Sequence, residues 1–106
     1  MKNKLWRLLT IKKSIKLGGH NIKIVYPYTF KERSDSNGIY VIEQMTIYVA
    51  NKDAMGNKLP KSVILEVFIH EIYHAICHIY TGTVTLIDED KHDAVSQGWY
   101  QFFEDA

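Results

Sequence analysis

From Ser62 to about Tyr80 the apolar residues recur at helical spacing. On a wheel turning about 100° per residue, Leu65, Phe68, Ile69, Ile72, Ile76 and Ile79 share one broad face. Pro60 suits the first turn of such a helix, and Gly82 is a natural stop at its end. In the middle of this otherwise apolar helix stands His70-Glu71-Ile72-Tyr73-His74, the pattern H-E-x-x-H. The i, i+4 spacing puts both imidazoles on one face, one turn apart. That spacing suits two nitrogen ligands on a single zinc ion, each about 2.0–2.1 Å from the metal. Glu71 lies roughly 100° round the helix from His70. It flanks the metal and is placed to take a proton from water there, as a general base.

With five histidines and six glutamates in 106 residues, chance gives an expected count of about 0.01 for this pattern. The competing reading is two histidines and an acid on the polar side of an amphipathic helix. Zinc needs a third protein ligand if its fourth position is to hold water. His78 stands about 12 Å along the axis from His70, too far to share one small ion, and reads as a rim residue. Cys77 lies on the ligand side of the wheel, but three ligands at i, i+4 and i+7 of one straight helix converge poorly. It reads as a small buried filler.

The better source is a second helix, about Glu89 to Glu104, with Asp88 before it and acids in its first turn, where the helix dipole favours them. Its apolar face is expected to comprise Val95, Trp99, Phe102 and Phe103. Glu89 and His92 point inward with Trp99, Asp90 points outward and Asp93 sits at the edge. Glu89 or His92 is therefore the third ligand, and Asp93 is placed to hydrogen-bond a ligand imidazole.

The first half, to about Ala50, reads as strands. Ile15 and Leu17 alternate with lysines, Gly18-Gly19 marks a tight turn, and Ile22, Ile24 and Tyr26 alternate with Asn21, Lys23 and Val25. Pro27 weakens that strand's end. Ser34 to Gly38 carries turn chemistry. Ile39–Ile42 and Met45–Val49 flank a polar break at Glu43-Gln44, either as a hairpin or as one bulged strand. Asn51 to Lys58 is a loop, and His20, beside a turn, reads as solvated.

Composition is globular: 46% hydrophobic and 24% charged, with a net charge of +1. A single cysteine excludes an internal disulfide and a Cys-rich zinc module. No uninterrupted apolar run approaches the ~18 residues of a membrane span. The stretch Leu5 to Leu9 is too short and too charged for a secretory leader, so a cytoplasmic protein with no membrane partner is expected. Lys2, Lys4, Arg7, Lys12, Lys13 and Lys16 precede the first acid, Glu32. Without interleaved aromatics this basic start is a weak signal for nucleic acid and reads as a solvated segment.

Val67 to Ile76, Asp88-Glu89 and Asp93 to Gln101 together resemble the small phage- and prophage-encoded zinc metallopeptidase-like proteins of the zincin class. The Gly18-Gly19-His20 hairpin resembles their N-terminal half. In the glutamate-zincin pattern, Glu-x-x-x-Asp on the later helix supplies a ligand and its orienting acid. The resemblance thus implies that Glu89 is the third ligand and Asp93 its partner. His92 departs from the pattern, where that position is usually apolar, and other zincins use a later histidine as ligand.

The expected architecture is one α+β domain over 1–106. A small N-terminal sheet of hairpins precedes the metal helix and a C-terminal helix that packs across it. The expected function is zinc-dependent hydrolysis of a peptide or protein substrate through metal-activated water, with Glu71 as base. An extended peptide is expected along a strand edge, at Met45 to Val49. The rival is a catalytically inactive zinc-binding interaction module on the same fold.

Overall fold

The computed structural model describes residues 2–30, 37–83 and 89–105. Helix α1 (Lys2–Arg7) widens into a π turn over Leu8–Lys12. Strands β1 (Ser14–Leu17) and β2 (His20–Val25) follow, then β3 (Gly38–Val41), a short 3-10 turn (Ile42–Gln44) and β4 (Thr46–Val49). Two helices complete the chain, α2 (Lys61–Thr81) and α3 (Glu89–Asp105). The expected α+β layout holds, with a small four-stranded sheet followed by the helices.

Strand order is β1-β2-β4-β3. The pairs β1–β2 and β3–β4 are antiparallel hairpins, and β2 joins β4 in parallel. In the first turn Gly18 (φ 56°) and Gly19 (φ 82°) both take positive φ, as a two-residue type I′ connection requires. A Cβ on Gly18 would stand 2.8 Å from Ile79 Cγ2 on α2, so the position has no room for a side chain. The polar Glu43-Gln44 break is the turn of a hairpin, closed by Met45 at φ 48°. The other turn expectation, Ser34 to Ser36, lies outside the described residues, as does Asp88 ahead of α3.

Period-two alternation decides which face of the sheet is covered. Ile22 and Ile24 are buried while Asn21 and Lys23 are exposed, and Ile47 and Val49 on β4 are fully buried. Helix α2 lays Ile64, Phe68 and Ala75 on this face. Pro60 stands just ahead of the helix with extended backbone, and Gly82 (φ 80°) ends it by donating its N–H to the His78 carbonyl. By length and composition α2 could cross a membrane, which a search for unbroken apolar runs missed. A core helix has the same properties, and the stretch concerned is 39% buried within this molecule.

Three expectations need correction. The basic start is not merely a solvated segment, because Leu9 is fully buried and Leu5, Trp6 and Leu8 pack on the core. The expected apolar face of α3 is only partly covered, with Val95 39%, Trp99 48% and Phe102 58% exposed and Phe103 half-buried. His92 and Ser96 are the fully buried side chains of α3 among the described residues. The third correction concerns the strand edge. Met45 to Val49 cannot receive a peptide, because β4 is paired on both sides; among the described residues the sheet's outer edge beside α2 belongs to β3.

A candidate metal centre between two helices

Helix α2 carries His70, Glu71 and His74 on the side toward β3 and α3. Helix α3 crosses it with its first two turns, bringing Glu89, His92 and Asp93 to the same place. His70 Nε2 lies 2.8 Å from Glu89 Oε1 and 3.1 Å from His74 Nε2, and the His74 Nε2–Glu89 Oε1 edge is 3.5 Å. A tetrahedral zinc site with bonds near 2.0–2.1 Å has ligand–ligand edges of about 3.3 Å. The triangle of two nitrogens and one oxygen is of that size.

The donor set also fits a cation. His70 Nδ1 is 3.2 Å from Asp93 Oδ1, and Gln97 Nε2 donates to Asp93 Oδ2 at 3.0 Å. With its proton on Nδ1 toward Asp93, neutral His70 turns the Nε2 lone pair toward the Glu89 oxygen. In that tautomer two acceptors face each other at 2.8 Å and repel unless positive charge lies among them; with a proton on Nε2, His70 instead donates to Glu89. A divalent cation bound between them would supply that charge. Burial would raise the Glu89 carboxyl, but the His70 hydrogen bond and the charges of His74, His70 and His92 hold it below its usual value.

Glu71 is 6% exposed. Burial dominates its electrostatics, with Glu89 adding to the shift, and its carboxyl is pushed up to about 7 despite the opposing His70 charge and a hydrogen bond from the Tyr40 backbone N–H. Strand β3 therefore touches the candidate base directly. The contact depends on Gly38, where a Cβ would fall 2.5 Å from Val67 Cγ1 and 3.2 Å from Glu71 Cγ. Any larger residue there pushes β3 away from α2.

His92 is fully buried, stacks on His74 (centroids 3.7 Å apart, 15° between planes) and brings Nε2 to 3.1 Å from the His70 carbonyl oxygen. One nitrogen from each of His70, His74 and His92 falls within a common 4.8 Å, so distance alone leaves both third-ligand candidates standing. Asp93 sits at the edge of α3, as its wheel position implies. His78, read as a rim residue, is half-buried, and its Nδ1 pairs with the hydroxyl of Tyr40 at 2.7 Å. Cys77 is buried and His20 exposed, as expected.

A cleft opens over the centre in two lobes. One, of about 780 Å³, is lined by Asn37, Glu66, Asp90 and Asp93 around His70 and Glu71. The other, of about 360 Å³, runs along Gly38 to Tyr40 of β3 past His74 and Glu89. Burial, and then the charge of Asp93, raise the Glu66 carboxyl in the first lobe.

The residues that sequence reasoning missed are Gly38, Tyr40 and Gln97. Gln97 follows Asp93 at i+4, a helix-face pairing that was open to inspection. Gly38 and Tyr40 gave no local signal, because their importance arises only when β3 meets α2. No family model, no curated protein and no solved structure matches this chain.

Proposed function

We propose that the chain is a zinc-dependent metallopeptidase-like protein of the minimal zincin type its sequence resembles, with His70, His74 and Glu89 as ligands and Glu71 as general base. The observation that carries this reading is the triangle of His70 Nε2, His74 Nε2 and Glu89 Oε1, with edges of 2.8, 3.1 and 3.5 Å. It stands beside a buried carboxyl that is not part of it. Zinc held by these residues would polarise a substrate carbonyl and lower the pKa of water to near neutral.

The chain's own residues do the rest. Glu71, buried beside the triangle and outside it, takes a proton and returns it to the leaving amine. The Tyr40 N–H fixes the direction of that carboxylate. Asp93, steadied by Gln97, fixes the tautomer and ring angle of His70. The outer edge of β3 offers its remaining backbone groups to an extended peptide running through the smaller lobe of the cleft, its Tyr40 N–H being held by Glu71.

The test combines metal analysis with peptide hydrolysis. Wild type carries one zinc per chain and His70→Ala carries none. Glu71→Gln keeps the shape of the side chain and the zinc while peptide hydrolysis falls at least ~10²-fold, the usual loss for a missing general base. Full zinc retention by His70→Ala overturns the metal site. If wild type binds zinc yet cleaves nothing in a broad peptide library, the inactive binding module is the better reading.

A further inference from the structure

We propose that His92 is not a metal ligand but a positioning residue: from α3 it clamps both ligand-bearing turns of α2, one by its ring face and the other by its ring nitrogen. This rests on the metal site proposed above and assigns a role to the residue that competed with Glu89.

The argument against ligation is geometric. An imidazole binds a metal through a lone pair in the plane of its ring. The His74 and His92 rings are nearly parallel, 15° apart, with centroids separated by 3.7 Å. Rings stacked in van der Waals contact have planes about 3.5 Å apart. The 15° tilt can bring a metal near His74 Nε2, in the His74 plane, no more than about 0.8 Å toward His92, so it stands about 2.7 Å or more from the plane of His92. That exceeds the ~2.0–2.1 Å of a zinc–nitrogen bond. A shared 4.8 Å neighbourhood does not remedy the direction of the lone pair. Nε2 of His92 is moreover already engaged, donating to the His70 carbonyl at 3.1 Å.

The same contacts define what the ring does. Its other face meets Tyr73, at 4.3 Å and 21°. The ring is thus held between Tyr73 and His74, and one face bears on a ligand. The His70 carbonyl it reaches is the one that, in an α-helix, accepts the His74 backbone N–H. One donor from α3 grips the peptide linking the two ligand turns. A fully buried imidazole on a helix whose apolar residues are only partly covered is costly unless such contacts compensate.

Zinc affinity, measured by competition with a chromophoric chelator, and the visible spectrum of the cobalt(II)-substituted protein test this in wild type, His92→Phe, His92→Gln and His70→Ala. Circular dichroism establishes that each variant is folded. Phe keeps the stack and loses the donor; Gln keeps a donor and loses the stack. Both His92 variants are expected to bind one metal per chain about 10-fold more weakly than wild type, within the 10–100-fold range for groups that orient ligands. Their cobalt bands shift in position and keep the intensity of the wild-type coordination number. If both folded variants lose metal as completely as His70→Ala, His92 is a ligand and this inference fails while the zinc site stands. If both match wild type in affinity and spectrum, the ring only fills space and the inference also fails. If wild type itself takes up no zinc, the inference falls together with the proposed function.

Discussion

Helix α2 has two neighbours and meets them in opposite ways. Toward the sheet it presents Ile64, Phe68 and Ala75 to Ile22, Ile24, Ile47 and Val49, all buried and all apolar. Toward α3 it presents His70 and His74, and α3 answers with Glu89, His92, Asp93 and Ser96. The first interface is held by the non-directional removal of apolar surface from water. The second depends on a few directed contacts: the His70–Asp93 and His70–Glu89 pairs, and the His92 nitrogen on the His70 carbonyl. Trp99, Val95 and Phe102, the residues best able to make α3 a core helix, are only partly covered. One helix thus serves as a core element on one side and as a ligand carrier on the other, so the seam with α3 can be tuned for chemistry while the sheet bears the stability.

This contrast breaks most readily at Phe68, which is fully buried at the centre of the sheet interface. Phe68→Ala is expected to lower the unfolding free energy by about 3–5 kcal/mol. Urea unfolding followed by circular dichroism measures it. Where the variant remains folded, its zinc stoichiometry should match wild type. A loss below about 1 kcal/mol would mean that the sheet side does not dominate stability, and the contrast would be wrong.

What the sequence made legible follows the same division. H-E-x-x-H and the i, i+4 geometry are local, so His70, Glu71 and His74 could be placed before any tertiary structure was known. The sheet's buried residues obey period two, and Ile22 and Ile24 could be assigned by alternation. On helix α3 the wheel places His92 inward, as the structure does, but the inward position beside it belongs to Ser96, while Val95, Trp99 and Phe102 are only partly covered. Leu9 was missed because its basic neighbours masked one buried side chain. Gly38 and the Tyr40 N–H were beyond local reading altogether, because their roles exist only where strand and helix meet.

Asp93 sharpens the comparison from the seam side. Its carboxylate holds His70 Nδ1 and is itself held by Gln97. Asp93→Asn keeps the shape and removes the charge that favours the Nδ1–H tautomer. Zinc affinity is expected to fall 10–100-fold, as read by competition with a chromophoric chelator. The metal-free protein's urea midpoint should change little, because half of the Asp93 side chain is exposed and exposed pairs contribute ~0–1 kcal/mol. A large drop in that midpoint with zinc affinity unchanged would reverse the roles assigned to the two interfaces.

The smallest expected effect is at Trp99. It lies in the middle of the apparent apolar face of α3, where a wheel alone would make it a core anchor and its replacement would cost several kcal/mol. In the structure 48% of it is exposed, and its ring partners, Phe102 and Phe103, belong to the same helix. It also lines an apolar hollow with Ile69, Ile72 and Ile76 of α2, so it covers part of that helix without being enclosed. Gln is a better helix former than Trp, which offsets part of the lost cover. Trp99→Gln is therefore expected to move the unfolding free energy by no more than about 1 kcal/mol. Zinc affinity should be unaffected, since Trp99 stands outside the triangle of His70, His74 and Glu89 and stacks on rings of its own helix. Urea unfolding and zinc competition on the same variant test both halves of this expectation. A loss approaching that of Phe68→Ala would mean that α3 is a core helix after all, and that its apolar face, more than the seam of histidines and acids, holds it against α2.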